Sequence, residues 1–188
     1  MEEKLNKLYD ECIKELSTIG IDASQEKLGQ IDIKIAKRNC KRYGCCKQEE
    51  PDKTTAYRKN RIVYYKKFNK HHIEISKWVM SLNNKTIKNT ILHEIIHCFP
   101  DCNNHGKQFK EYAELINKKL GYNISRLGNK QEDYKKSNLE YRDEALNYKY
   151  KIICENCEQT YFRQRLSKNF SKKFRCGICK GKLKILNY

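Results

Sequence analysis

Apolar side chains recur at Leu5, Leu8, Cys12, Ile13 and Leu16 with charged residues between them. That spacing predicts an amphipathic helix over residues 2–18, with Gly20 as its stop. The stretch IDIKIA (residues 31–36) alternates strictly and predicts a strand, followed by a loop through RNCKRYGCCKQEEPDK (residues 38–53). RIVYY (residues 61–65) and HIEIS (residues 72–76) read as two more strands, antiparallel about the loop KKFNKH. Asn83 or Asn84 is placed to cap a helix running to about Phe99, where Pro100 disfavours helical geometry in the residue before it. A second helix fits residues 106–120, with Phe109, Tyr112, Ala113, Ile116 and Leu120 on one face and Gly121 after it. Residues 122–147 are polar and read as a charged linker or a peripheral helix. From Tyr148 onward short β-like pieces surround four paired cysteines.

The helix ending near Phe99 carries a second pattern. On a helical wheel Ile87, Ile91, Leu92, Ile95, Ile96, Cys98 and Phe99 share one half, while His93 and His97 fall on the other, about 40° apart, with Glu94 near that edge. This is an HExxH motif whose chemistry-bearing face is separate from its core face. Residues i and i+4 are about 6 Å apart along the axis, so two imidazoles can converge on one metal. Three neutral histidines would leave zinc its full charge and one open position, where a water is acidified to a pKa of about 7. Glu94 is placed to take that water's proton and deliver it to a leaving amine. His105 is the favoured third ligand, because the chain can turn back between Pro100 and the next helix. Glu111, Glu114 and Cys102 compete for that role. The metzincin pattern does not apply, since Pro100 and Asn103 stand where Gly and His would be required.

The chain has 188 residues, enough for one medium domain or a domain plus a small module. Its mean hydropathy of −0.93 predicts a strongly solvated surface. No run approaches the roughly 18 apolar residues of a membrane helix, and the charged N-terminus lacks a signal-peptide core. The expected location is therefore the cytoplasm. Forty Lys and Arg against 23 Asp and Glu give a net charge of +17, an imbalance that attracts polyanions, above all nucleic acid.

Ten cysteines in a cytoplasmic chain are not expected to form disulfides. Cys154-x2-Cys157-x18-Cys176-x2-Cys179 has the spacing of a structural zinc site, in which four thiolates close the coordination shell. A module this small needs the metal to complete its fold. Residues 148–188 hold 11 Lys or Arg and 2 acids, interleaved with Tyr161, Phe162, Phe170 and Phe174. That mixture suits phosphate contact and base stacking, and also supplies the module's core.

LHEIIH, then NHGKQF, then a terminal CGICKGKL together resemble the SprT-like metalloprotease family, whose eukaryotic relative is Spartan. The resemblance runs from the first helix through the ribbon. It implies an α+β fold: a compact zincin-like domain, with the HExxH helix on a small antiparallel sheet, over residues 1–121, a linker or peripheral helix over 122–147, and a four-cysteine zinc ribbon over 148–188. It makes His105, in the element His105-Gly106-Lys107-Gln108-Phe109, the third zinc ligand beside His93 and His97, with Glu94 catalytic and Cys154, Cys157, Cys176 and Cys179 holding structural zinc. It implies a peptidase acting on DNA-linked proteins with broad sequence tolerance. RYGCC (residues 42–46) resembles the family's WG-containing segment, with Tyr43 in place of the usual Trp. In the ribbon, Tyr150 stands four residues before the first ligand, a looser match.

The expected partners are DNA-bound protein substrates and DNA itself, with no membrane, and the chain is expected to act as a monomer. The competing reading is a non-proteolytic nucleic-acid-binding protein whose HExxH domain is only a scaffold. Glu94 favours the enzyme, because a scaffold has no use for a carboxylate beside the metal. His71 and His72 are expected at the surface, Trp78 in the core, and Cys40, Cys45 and Cys46 as packing residues or free thiols. Tyr112 is a weak candidate for oxyanion stabilisation.

Overall fold

The computed structural model describes residues 1–36, 42–141 and 149–187. Cys40, and the stretch 142–148 that includes most of the end of the expected linker, lie outside the described residues. The chain divides into two compact units, Met1–Glu140 and Tyr141–Tyr188.

The first unit mixes helices with a small sheet. Helix α1 spans Glu2–Thr18 and buries Leu5, Leu8, Cys12 and Leu16, as its apolar spacing dictates. After a single turn, α2 (Gln25–Leu28), strand β1 (Gln30–Ile35) enters a three-stranded sheet. Strands β2 (Gly44–Pro51) and β5 (Phe68–Ile75) complete it in the order β1-β5-β2. The sheet is mixed: β5 runs parallel to β1, with Ile31 opposite His71, and antiparallel to β2, with Cys46 opposite Ile73. The expectation of an antiparallel sheet therefore holds for one of its two pairings.

Two strand assignments change. Residues 44–51, expected as loop, form β2, an edge strand whose inward positions are cysteine and glycine rather than large apolar residues, so its alternation is faint. The stretches 61–65 and 72–76 do not pair with each other. Strand β4 (Ile62–Tyr65) pairs with β3 (Ala56–Lys59) as a separate two-stranded ribbon, and the chain then enters the main sheet as β5. The apolar side chains of β4 are exposed, so hydrophobicity did not mark it as peripheral.

Helix α3 (Asn84–Ile96) crosses the core, and the Asn83 side chain caps it by accepting from the Thr86 N–H. Ile87, Ile91, Leu92, Ile95 and Ile96 join Ile73 and Ile75 of β5 and the buried face of α1 in one cluster. The helix ends earlier than Phe99: Cys98 and Phe99 donate to Ile95 and Ile96, three residues back, which tightens the last turn. Helix α4 (Lys107–Leu120) follows, closed by Gly121 at φ 68°.

Residues 122–140 are part of the first unit. They include helix α5 (Lys130–Lys136), and Asn117 holds the backbone of Ile124 through both its N–H (2.7 Å) and its C=O (2.9 Å). Asn89 accepts from the Asn123 N–H at 2.9 Å and Asn83 donates to the Lys136 carbonyl at 3.1 Å, so this strap is pinned at α3 by amide side chains as well as by the buried Ile124 and the packed Tyr122 and Tyr134.

The second unit is an antiparallel sheet of β6 (Tyr150–Cys154), β7 (Thr160–Arg163) and β8 (Leu183–Asn187) in the order β7-β6-β8, with a short helix α6 (Phe170–Lys173). Its buried core is Ile152, Cys154, Cys176 and Leu183, too small to hold a fold without help. No helix among the described residues is long and apolar enough to cross a membrane.

Candidate metal and active site

Two clusters among the described residues bring together side chains that could hold a metal ion: His93, His97 and His105, and Cys154, Cys157, Cys176 and Cys179, with ligand atoms of each cluster within 4.8 Å of one another. His93 lies on the last turn of α3 and His97 at its cap. The chain then turns back through Asp101, at φ 60°, and His105 stands just before α4. The Nε2 atoms of His93 and His105 face each other at 3.0 Å. His97 uses Nδ1 to donate to the Cys102 carbonyl at 2.6 Å, which fixes the tautomer and leaves Nε2 free as a ligand.

Burial, reinforced by the neighbouring His97 and His105, pushes the His93 pKa down to about 3, and burial lowers His97 and His105 as well. The three rings are therefore neutral at ordinary pH, the form that binds metal. Three neutral nitrogen donors suit zinc with an open position. The competing ligands are placed elsewhere. Glu111 pairs with Lys107 on the exposed side of α4, and Cys102 is fully buried, its thiol pushed up to about 11 by burial.

Phe109 backs the cluster. Its ring centroid lies 4.9, 4.8 and 4.7 Å from those of His93, His97 and His105. This gives the aromatic in His105-Gly106-Lys107-Gln108-Phe109 a reason: one helical turn after the loop ligand, it is the wall against which all three rings rest.

Glu94 is 5% exposed, although the wheel places it on the polar side of α3. Strand β2 covers it, and its carboxylate lies against Gly44. Burial pushes its pKa up to about 8, against the opposing pull of the Arg42 charge and the Cys46 backbone N–H. Glu94, His93 and His105 line a cleft of about 980 Å³ whose far wall is the strap, with Tyr122, Ser125 and Arg126 facing them. The strap and Arg42 are parts of the site that sequence reasoning missed, since polar residues without periodicity carry no local signal.

Tyr43 packs edge-on against Trp78 at 4.7 Å and donates to Asp133 at 2.6 Å, which ties the start of β2 to α5. Trp78 is partly buried against the core and carries Lys130 over its ring at 4.2 Å. Tyr112 stacks on Phe99 at 4.5 Å and does not line the cleft, which removes it as an oxyanion donor. His72 lies between Asp32 and Glu49, near the surface as expected. His71 does not: it is fully buried, because its position in β5 faces inward with Ile73 and Ile75. Cys46 and Cys98 are in sulfur contact at 3.7 Å, and Cys45 points to Glu74 at 3.9 Å.

In the second unit the two cysteine knuckles repeat one design. Cys154 accepts from the Glu158 N–H and donates to Gln159, and Cys176 accepts from the Lys180 N–H and donates to Gly181, each at 3.0 Å. Glu158 and Lys180, the residues after each second cysteine, both adopt positive φ, 56° and 60°. The thiols converge, with Cys154–Cys179 at 3.4 Å and Cys157–Cys176 at 3.6 Å. The Tyr161 hydroxyl, 3.2 Å from the Cys176 sulfur, is the main cause that lowers that thiol to about 6, aided by backbone N–H groups. Four converging sulfurs in a closed set suit structural zinc. Tyr161 and Phe170 pack on the core, while Phe162 and Phe174 are exposed.

The molecule is thus a mixed α+β protein with a three-histidine cluster at an HExxH helix and a separate four-cysteine ribbon. The SprT-like family model matches residues 5–128. The chain is also 32% identical over 106 residues to a protein of Lactococcus lactis subsp. lactis (strain IL1403) described as "Protein SprT-like", covering 53% of this chain and 57% of that one. This chain belongs to the SprT-like family. It spans little more than half the length of the curated relative it matches.

Proposed function

We propose that the chain is a zinc-dependent endopeptidase with a zincin-like catalytic domain, acting in the cytoplasm as a monomer on proteins associated with DNA. The observation that carries this reading is the Glu94 carboxylate, buried at the floor of the cleft one residue from His93. His93, His97 and His105 would hold the catalytic zinc, and Cys154, Cys157, Cys176 and Cys179 a structural one. Bound zinc supplies Lewis acidity, polarising a scissile carbonyl and making a nearby water more acidic. Glu94 takes the proton from that water at a carboxylate oxygen and passes it to the leaving amine. Burial raises the pKa of this carboxyl to about 8, which suits delivery of the proton to the amine; the +2 charge of zinc held by the neighbouring histidines would draw it back down, so that the group could first accept one. Cys102 and Phe109 hold the imidazoles in orientation. The cleft is open enough for an extended peptide, consistent with loose sequence preference.

The net charge of +17, and the basic residues and exposed Phe162 and Phe174 of the ribbon, support DNA as the guide to substrate. The test is self-cleavage and casein cleavage by purified protein with zinc and single-stranded DNA, beside Glu94→Gln. Cleavage by the wild type alone, faster with DNA, is the expected result. If neither protein cleaves while both bind DNA equally, the chain is a nucleic-acid-binding zinc protein whose HExxH domain is a scaffold.

A further inference from the structure

We propose that the β3–β4 ribbon is a binding site for single-stranded nucleic acid within the first unit, distinct from the cysteine ribbon. It deepens the reading above, that this protein works on DNA, by assigning a contact surface.

Strands β3 and β4 pair Tyr57 with Tyr64, Arg58 with Val63 and Lys59 with Ile62, and leave both faces to solvent. Tyr57, Tyr64 and Ile62, 43, 40 and 56% exposed, share one face of the ribbon as an apolar and aromatic patch, while Val63, 46% exposed, lies on the other face with Arg58. Tyr57 and Tyr64 are stacked with centroids 5.6 Å apart, forming a preassembled aromatic platform. Such a ribbon gains little from its own folding, since a two-stranded hairpin without a covered face is marginal. Its stability comes from its base. Asp52 donates to the Lys67 carbonyl at 3.0 Å, and Asp101 and Asn103 donate to the carbonyls of Lys66 and Tyr65 at 3.3 and 3.4 Å. The tip is thereby free to carry residues that serve no packing purpose.

Charge selects the ligand. Residues 52–67 hold six lysines and arginines, Lys53, Arg58, Lys59, Arg61, Lys66 and Lys67, against one acid, Asp52. Lys66 pairs with Asp101 at 3.8 Å and lies 6.0 Å over the Tyr57 ring; the other five make no ion pair among the described residues. The turn is also informative. Asn60 and Arg61 both have positive φ, 49° and 65°, the combination of a type I′ hairpin turn that favours Asn-Gly. Arginine at the second position is less favourable than glycine there, yet it sets a guanidinium at the tip of the platform. Cations around an open aromatic pair match phosphates joined by bases with free faces, which is a single strand. A duplex hides those faces, and an acidic peptide would meet the cations but leave the tyrosines unused.

The experiment measures anisotropy of labelled oligo-dT with the full chain, using wild type, Tyr57→Ala/Tyr64→Ala, Tyr57→Phe/Tyr64→Phe and Arg61→Gly. The alanine pair should weaken binding about tenfold on normal oligo-dT and have little effect on an abasic oligonucleotide, while the phenylalanine pair should bind as wild type does. Arg61→Gly relaxes the turn, so it cannot act by unfolding the ribbon. It should still reduce the slope of log affinity against log salt by about 0.7. Wild-type affinity in both the alanine pair and Arg61→Gly, with the wild type binding oligo-dT, overturns this site and leaves DNA guidance standing. Equal binding and equal losses on duplex, or equal competition by polyglutamate, also overturn it. No binding of oligo-dT by the wild type would remove DNA guidance itself.

Discussion

The carboxylate of Glu94 rests on the α-carbon of Gly44: a β-carbon at position 44 would lie 2.8 Å from Oε1 and 3.0 Å from Cγ. The glycine is there for space, not for backbone freedom, because its φ lies outside the left-handed region. Gly44→Ala should therefore displace the carboxylate and leave the histidine cluster in place, with a small loss of stability because the same β-carbon would stand 3.1 Å from the Glu74 carbonyl oxygen. On the peptidase reading, turnover should fall on the order of 100-fold with zinc content unchanged, because a displacement of about 1 Å in a catalytic group costs that much. Zinc analysis beside a peptidase assay checks this, and an alanine variant of undiminished turnover would remove Glu94 from the mechanism.

The histidine cluster and the four cysteines were legible because their spacings are local: i and i+4 on a helix, and two residues between paired cysteines. Helices α1, α3 and α4 were legible because large apolar residues mark one face. Four features were not. Strand β2 was hidden because its partner is β5, with Gly44 paired to Ile75 and Pro51 to Phe68, and its own inward side chains are small. His71 looked like a surface residue because a polar pair of histidines says nothing of which alternate position faces in. The strap over residues 122–136 gave no signal because side-chain amides hold it, Asn83 and Asn89 bonding backbone 53 and 34 residues away and Asn117 bonding Ile124. The Gly44 contact needed the register of β2 against α3, which no motif encodes.

Phe109 touches all three histidine rings, so its removal should be felt at the metal as well as in the core. It is 2% exposed, and Phe109→Ala should destabilise the first unit by about 3–5 kcal/mol. Phe109→Leu retains bulk but not the flat wall, and should fall between the alanine variant and wild type. Urea unfolding gives the stabilities, and a competing chelator gives zinc affinity at the histidines. The two measurements should rank the variants alike. Full zinc affinity in Phe109→Ala would mean that the loop and α3 orient the rings unaided.

His71 predicts an acid sensitivity that does not depend on metal. It is fully buried, and the Leu28 backbone beside it falls short of a well-formed hydrogen bond to either ring nitrogen. Burial pushes its pKa from the usual 6.5 to about 4, with the Leu28 backbone offsetting part of the effect. The folded chain thus keeps the ring neutral while the unfolded chain protonates it. The associated stability is fully present above pH 6.5, is lost as pH falls towards 4, and does not decline further below that. Over this window the loss amounts to about 3 kcal/mol. Urea titrations at pH 7, 5.5 and 4 should show a shallower decline for His71→Leu than for wild type. Parallel curves would mean the ring finds a proton acceptor on acidification.

Tyr161 links the cysteine cluster to the sheet that carries it. Its hydroxyl accepts from the Gly177 N–H at 3.2 Å and faces the Cys176 sulfur at 3.2 Å, so its proton is directed to the thiolate. A hydrogen bond to a ligating sulfur stabilises its charged form, and losing such a partner typically weakens metal binding by about 10- to 100-fold. Tyr161→Phe removes the hydroxyl and keeps the ring that packs on Ile152 and Leu183. The variant should fold with metal in excess, yet release it to a chelator at a concentration about tenfold lower than wild type requires. Cobalt substitution separates the two clusters, because only thiolate ligation gives a sulfur-to-cobalt charge-transfer band. Loss of that band should come earlier in Tyr161→Phe, with the histidine-bound cobalt unaffected. If the charge-transfer band fades at the same chelator concentration in the variant as in wild type, the hydroxyl serves only to anchor Gly177, and the low pKa of Cys176 comes from its backbone N–H partners.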